Sequence, residues 1–103
     1  MMPLETRLAA LAAAGETITY GDLARELGLR MAELTAALEA LMAEDARAGH
    51  PFRAARLRQR LSPTGQPAPG FFACAAGLGR ADVDAEAERR ALFAGHPPAT
   101  SRP

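Results

Sequence analysis

Thr17-Ile18-Thr19-Tyr20-Gly21-Asp22-Leu23-Ala24-Arg25-Glu26-Leu27-Gly28-Leu29 is the stretch on which the fold turns. Thr17, Ile18 and Thr19 are β-branched and suit a very short strand, with Ile18 as the inward side chain. Tyr20-Gly21-Asp22 then opens a helix whose Leu23, Ala24 and Leu27 share one face. Gly28 takes the left-handed position that ends it, and a second helical pattern begins three residues later. Strand, helix, glycine turn and helix make a helix-turn-helix layout.

Upstream, Pro3 opens a helix with Leu4, Leu8 and Leu11 on one face and Gly15 as its stop. Downstream, Leu34, Leu38, Leu41 and Met42 recur at helical spacing, with Met31 and Ala37 on the same side and Glu33, Glu39, Glu44 and Asp45 on the other. That helix runs to Gly49. Ala48-Gly49-His50-Pro51 recurs as Ala94-Gly95-His96-Pro97, and both read as helix terminators rather than as a repeat.

Residues 52–61 alternate, with Ala55, Leu57, Gln59 and Leu61 on one face of a strand and Arg56, Arg58 and Arg60 on the other. Successive arginines would stand roughly 6–7 Å apart along that face. Residues 62–70, rich in Pro and Gly, form a loop. Residues 71–79 would be a returning strand in a full wing. They lack Val, Ile and Thr, however, and place Phe71, Cys74, Ala75 and Leu78 at helical spacing. A short helix is favoured, leaving an open loop and an Arg strand paired only with residues 17–19. Of the adjacent aromatics Phe71 and Phe72, one fills the core while the other packs on the last helix or on a dimer mate, and packing within the fold is favoured over stacking on a base. Asp82 caps a last helix through Phe93, with Val83, Ala87, Ala91 and Leu92 inward. One domain is expected over residues 1–96, with a disordered tail from Pro97.

The 103 residues are 49% hydrophobic, but much of that is Ala. The bulk must come from the leucines, Ile18, Tyr20, Met31, Met42, Phe52, Phe71, Phe72 and Phe93, a modest core that a dimer or partner would supplement. Every basic residue is Arg, a bias that GC-rich coding produces by itself. Net charge is zero, with 12 basic and 12 acidic residues, but the distribution is uneven. Residues 1–45 carry eight acids against three Arg, whereas residues 46–81 carry six Arg and no acid. A basic segment inside a neutral chain is what a phosphate-binding surface needs locally.

One cysteine, Cys74, precludes an intrachain disulfide and suggests a reducing compartment. No secretion signal or membrane-length apolar run is present, so a cytoplasmic protein without membrane contact is expected. His50, His96 and Cys74 lack the close-pair spacing of a zinc site, so no metal is expected. Apolar neighbours raise rather than lower the Cys74 thiol, and it reads as a small buried hydrophobe. No phosphate loop, paired-acid site or Ser/His/Asp arrangement is visible, so neither enzyme nor cofactor is expected.

Ile18-Thr19-Tyr20-Gly21-Asp22-Leu23-Ala24 resembles a segment of the winged-helix half of alkyltransferase and alkyltransferase-like DNA repair proteins, where such a run starts the helix before the DNA-contacting one. The resemblance covers about seven residues and omits the Pro-Cys-His-Arg motif of the reactive cysteine, since Cys74 has Ala on both sides. Alkyl transfer is therefore not implied. With His50-Pro51 and Pro69-Gly70-Phe71-Phe72, the chain also resembles small bacterial winged-helix proteins. The fold class expected is mainly α with a minimal β-sheet: a winged helix-turn-helix with an extra C-terminal helix.

The leading functional expectation is a non-enzymatic DNA-binding or regulatory protein. Arg53, Arg56, Arg58 and Arg60 would contact the phosphates of double-stranded DNA, with Arg30 and Thr35 nearest the bases. Against it, the second helix of the helix-turn-helix carries Glu33 and Glu39 and lacks Asn, Gln and Lys. The alternative is a protein–protein interaction module, a homodimer or partner-binding, with no nucleic-acid role, in which the acidic N-terminal faces meet the Arg strand; the plainest reading of that strand is a sheet edge guarded by charge.

Overall fold

Thr19 does two jobs at the junction that the sequence marks out. It ends β1 (Ile18–Thr19), and its Oγ1 accepts the Asp22 amide at 3.2 Å, capping α2 (Tyr20–Leu27). The computed structural model describes residues 4–94. Around this junction stand α1 (Leu4–Ala14), α3 (Met31–Ala48), a 3-10 turn (Arg53–Arg56), β2 (Leu57–Arg58), α4 (Pro69–Gly77) and α5 (Ala85–Ala94). The chain is mainly helical, with a two-stranded sheet among the described residues. Pro3, the second Gly-His-Pro terminator and the tail from Pro97 lie outside them.

The turn between α2 and α3 forms as its residues dictate. Gly28 has φ +68°, and the Leu29 amide reaches back to the Ala24 carbonyl at 2.9 Å. Glu33 Oε1 accepts the Arg30 amide at 2.8 Å, so this acid serves the start of α3. Leu8, Leu11, Leu23, Leu27, Leu34, Leu38, Leu41, Met42, Phe52, Leu57, Phe71 and Leu92 form one core. At its centre, Phe52 and Phe71 pack edge to face with centroids 5.9 Å apart, and Arg80 lies over the Phe52 ring at 4.3 Å. Phe72 is half-buried against Phe71, so both aromatics pack within the fold.

Several local expectations are corrected. The extended strand over 52–61 shrinks to Leu57–Arg58, paired in parallel with β1 in the register Ile18↔Leu57 and Thr19↔Arg58. Residues 53–56 instead wind into a 3-10 turn, anchored where Asp45 accepts the Arg53 amide at 2.9 Å. Past Arg58 the chain folds back: the Gln59 amide donates to the Gln66 carbonyl at 2.8 Å, so the loop is closed, not open. Leu61, expected inward, is 90% exposed at that loop.

The last helix begins later than expected. Asp84, not Asp82, supplies the cap, with Oδ1 accepting the Glu86 amide at 3.0 Å. The delay rotates the inward stripe to Ala85, Arg89 and Leu92, leaving Ala91 exposed and Ala87 half-buried. Met31 and Phe93, counted as core, are 49% and 44% exposed. Met31 sits in the first turn of α3 and Phe93 in the last turn of α5.

Residues 71–79 are mostly helix. Pro69 opens α4 as a first-turn residue, and Phe71 and Ala75 face inward.

Candidate interaction cleft

Local backbone geometry decides what each arginine of the basic segment can reach. In the 3-10 turn, Arg53 folds onto the end of α3: its Nε meets Asp45 Oδ1 at 3.0 Å and its Nη2 meets Glu44 at 3.5 Å. Asp45 is itself buried. Burial would lower the Arg53 guanidinium, but Asp45, with Glu5 and Glu44, outweighs that and holds it above its ordinary value.

Arg56 is 3% exposed and points inward, donating to the carbonyls of Glu16 at 2.8 Å and Arg89 at 2.6 Å. Burial, and then the Arg89 charge, lower it from the usual arginine range. Arg58 is half-buried, with Nε donating to Thr17 Oγ1 at 3.2 Å. No ladder of solvent-facing arginines forms. Of the four, Arg60 alone is exposed, and among the described residues it makes no hydrogen bond or ion pair.

Arg30 and Thr35 are exposed on α3, Arg30 at its start and Thr35 one turn in. The same solvent side presents Glu33, Ala36, Glu39 and Ala40.

A cleft of about 900 Å³ opens between the start of α2, the side of α3, Gln59–Arg60 and the start of α4. Buried Leu38, Met42, Ala54 and Phe71 form its apolar floor, and half-exposed Met31 stands in its wall. Its polar residues nearly cancel. Asp22 and Arg25 pair with each other, leaving Arg60 and Glu39 as opposite charges without an ion pair among the described residues. The Tyr20 hydroxyl accepts the Ala68 amide at 3.0 Å, tying the entry of α4 to α2. Burial raises this phenol above its ordinary value against the opposing pull of the Ala68 amide and the Arg89 charge.

The structure thus brings Thr35 and Arg60 onto one cleft. Arg30, Arg53, Arg56 and Arg58 do not line it. Sequence reasoning missed Met31 and Leu61 as exposed apolar groups, and Arg89 as a buried one. Arg89 had a readable signal: it lies four residues after Ala85 and three before Leu92, on the inward stripe of its helix.

Cys74 is half-buried, and burial, then Glu39, raise its thiol. Among the described residues no group of three His, Cys, Asp or Glu could hold a metal ion, and no helix is long and apolar enough to cross a membrane. What the cleft offers chemically is an apolar seat with a near-neutral rim. No protein-family model, curated protein or solved structure matches this chain.

Proposed function

We propose that this chain is a non-enzymatic protein-interaction module on a winged-helix plan, and that its α2–α3–α4 cleft receives a partner. The order α1, β1, α2, glycine turn, α3, β2 and closed loop supports that plan, with α4 where a returning strand would stand and α5 as the extra helix. One observation carries the function. Three of the four arginines of the basic segment, Arg53, Arg56 and Arg58, are engaged with the fold, whereas an open cleft keeps an apolar floor and a balanced rim. Such a surface favours a protein segment over phosphates, which acids on α3 would repel.

A DNA-binding regulatory role is the second reading, favoured by Arg30 and Arg60, both exposed and each able to reach a phosphate. Fluorescence anisotropy with random duplex DNA, from low to physiological salt, separates the two. The interaction reading expects no binding even at low salt. Micromolar binding that weakens steeply with salt and falls on Arg60→Ala overturns it in favour of DNA. A photo-crosslinker in place of Met31 should capture protein in the native host, and one in place of exposed Arg47 should not.

A further inference from the structure

Three large hydrophobic side chains stand exposed among the described residues: Met31, Leu61 and Phe93. Met31 lines the cleft, as does Arg60, and Leu61 is the next residue along the chain from Arg60. Leu61 is 90% exposed on a closed loop, held at its base by the Gln59–Gln66 hydrogen bond and by Arg89 Nη2 donating to the Gly65 carbonyl at 2.8 Å. A leucine left 90% exposed on a tethered loop, next in the chain to a cleft-lining residue, does not fill its own cleft. It can fill another.

The charges on this face match the same idea. Arg60 and Glu39 have opposite signs, and neither makes an ion pair among the described residues. When a face meets itself across a two-fold axis, residue i of one copy meets residue j of the other, and j meets i. A face with one free cation and one free acid is therefore self-complementary, whereas a face of one sign would repel its copy. The pairing also addresses the small core, because it buries apolar surface that the monomer leaves in water.

We propose that the occupant of the cleft is a second copy of this chain, each copy's Leu61 entering the other's cleft beside Met31 and each Arg60 facing the partner's Glu39. This rests on the protein-interaction reading above and names its partner. An interface seeded by one leucine per side lies at the small end of the range for protein pairs, so a reversible dimer in the micromolar range is expected.

Sedimentation equilibrium of the full chain from about 1 to 500 μM is the test. Wild type should dimerise, and Leu61→Glu and Met31→Glu should each weaken dimerisation at least tenfold. Both side chains are exposed, so circular dichroism should show both variants folded. Mixing the two variants is the decisive arm. A mixed pair keeps one intact leucine and one intact cleft, so the mixture should associate more tightly than either variant alone. Phe93→Ser, on the third exposed hydrophobic, should leave dimerisation unchanged.

A wild type that stays monomeric to 500 μM overturns the proposal, as does a mixture no tighter than its components. The broader reading fails separately. If the chain is monomeric yet the crosslinker at Met31 captures a different protein, only the choice of a second copy is wrong.

Discussion

Arg56 and Arg89 interlock through backbone carbonyls rather than carboxylates. Arg56 Nη2 donates to the Arg89 carbonyl at 2.6 Å, while Arg89 Nε donates at 2.6 Å to the carbonyl of Ala55, the residue before Arg56. Arg89 Nη2 also serves the carbonyls of Leu57 and Gly65 at 3.1 and 2.8 Å. Arg89 thus joins α5 to the 3-10 turn, to β2 and to the loop. Two buried guanidiniums side by side are costly, and their charge-assisted hydrogen bonds must offset that cost.

Arg89→Met should therefore be the most damaging single change. It removes three donations and strands buried carbonyls, costing about 3–5 kcal/mol, a large share of the stability of a domain this size. Arg56→Met should cost less, about 1–3 kcal/mol, because it loses two donations and because Arg56 Nε is already buried without a partner. Urea titrations with matched m-values check both; equal midpoints for the two variants would contradict the ranking.

Asp45 is the acid that matters in the charge cluster around Arg53. Asp45→Asn should cost about 2–4 kcal/mol, because it strips a buried carboxylate from both the amide and the guanidinium of Arg53. Glu44→Gln, on an exposed acid 3.5 Å from the same arginine, should change stability by less than about 0.5 kcal/mol. Thermal melts of the pair decide it.

Tyr20 sets an alkaline limit. Burial raises its phenol above the ordinary value of 10.0, so the folded chain holds the proton more tightly than the unfolded chain. Its contribution to stability is complete below about pH 10 and is lost as pH rises through the folded value. Tyr20→Phe should remove the acceptor for the Ala68 amide, costing about 1 kcal/mol at neutral pH, and should flatten the loss of stability above pH 10. A denaturation series from pH 7 to 11 shows both effects; an alkaline limb unchanged in the variant would remove Tyr20 as its source.

The Cys74 thiol should react slowly. Burial, then Glu39, raise it above its ordinary range, so at pH 8 the folded chain should alkylate with iodoacetamide several-fold more slowly than the urea-unfolded chain. Glu39→Gln should speed the folded reaction modestly. A folded rate equal to the unfolded rate would contradict the assigned environment.

Much of the helical frame was legible because its signals are local. Gly28 and Gly49 end helices in left-handed conformations, and Leu8, Leu11, Leu23, Leu27, Leu34, Leu38 and Leu41 bury the faces their spacing predicts. The phase of α5 is ambiguous in the sequence for a local reason as well: Asp82 and Asp84 are both good caps two residues apart, and only one can serve. The candidate site was far less legible. Thr35 and Arg60 lie on the cleft, but its lining is assembled from α2, α3, the loop after β2 and α4, which are distant in the chain.

Sequence alone determined the order of helices, the glycine turn between α2 and α3, and the charge carried by each segment, because caps, breakers and periodicity act over a few residues. Tertiary structure decided where that charge goes. Alternation over residues 52–61 favoured a strand with Arg56, Arg58 and Arg60 outward, but the Glu16 and Arg89 carbonyls and the Thr17 hydroxyl draw Arg56 and Arg58 back into the fold, and the Asp45 carboxylate holds Arg53. Those partners lie between 8 and 41 residues away along the chain, beyond any local pattern. The same packing turned Leu61 outward and left the cleft open, because a side chain's surroundings are set by whichever elements pack against it.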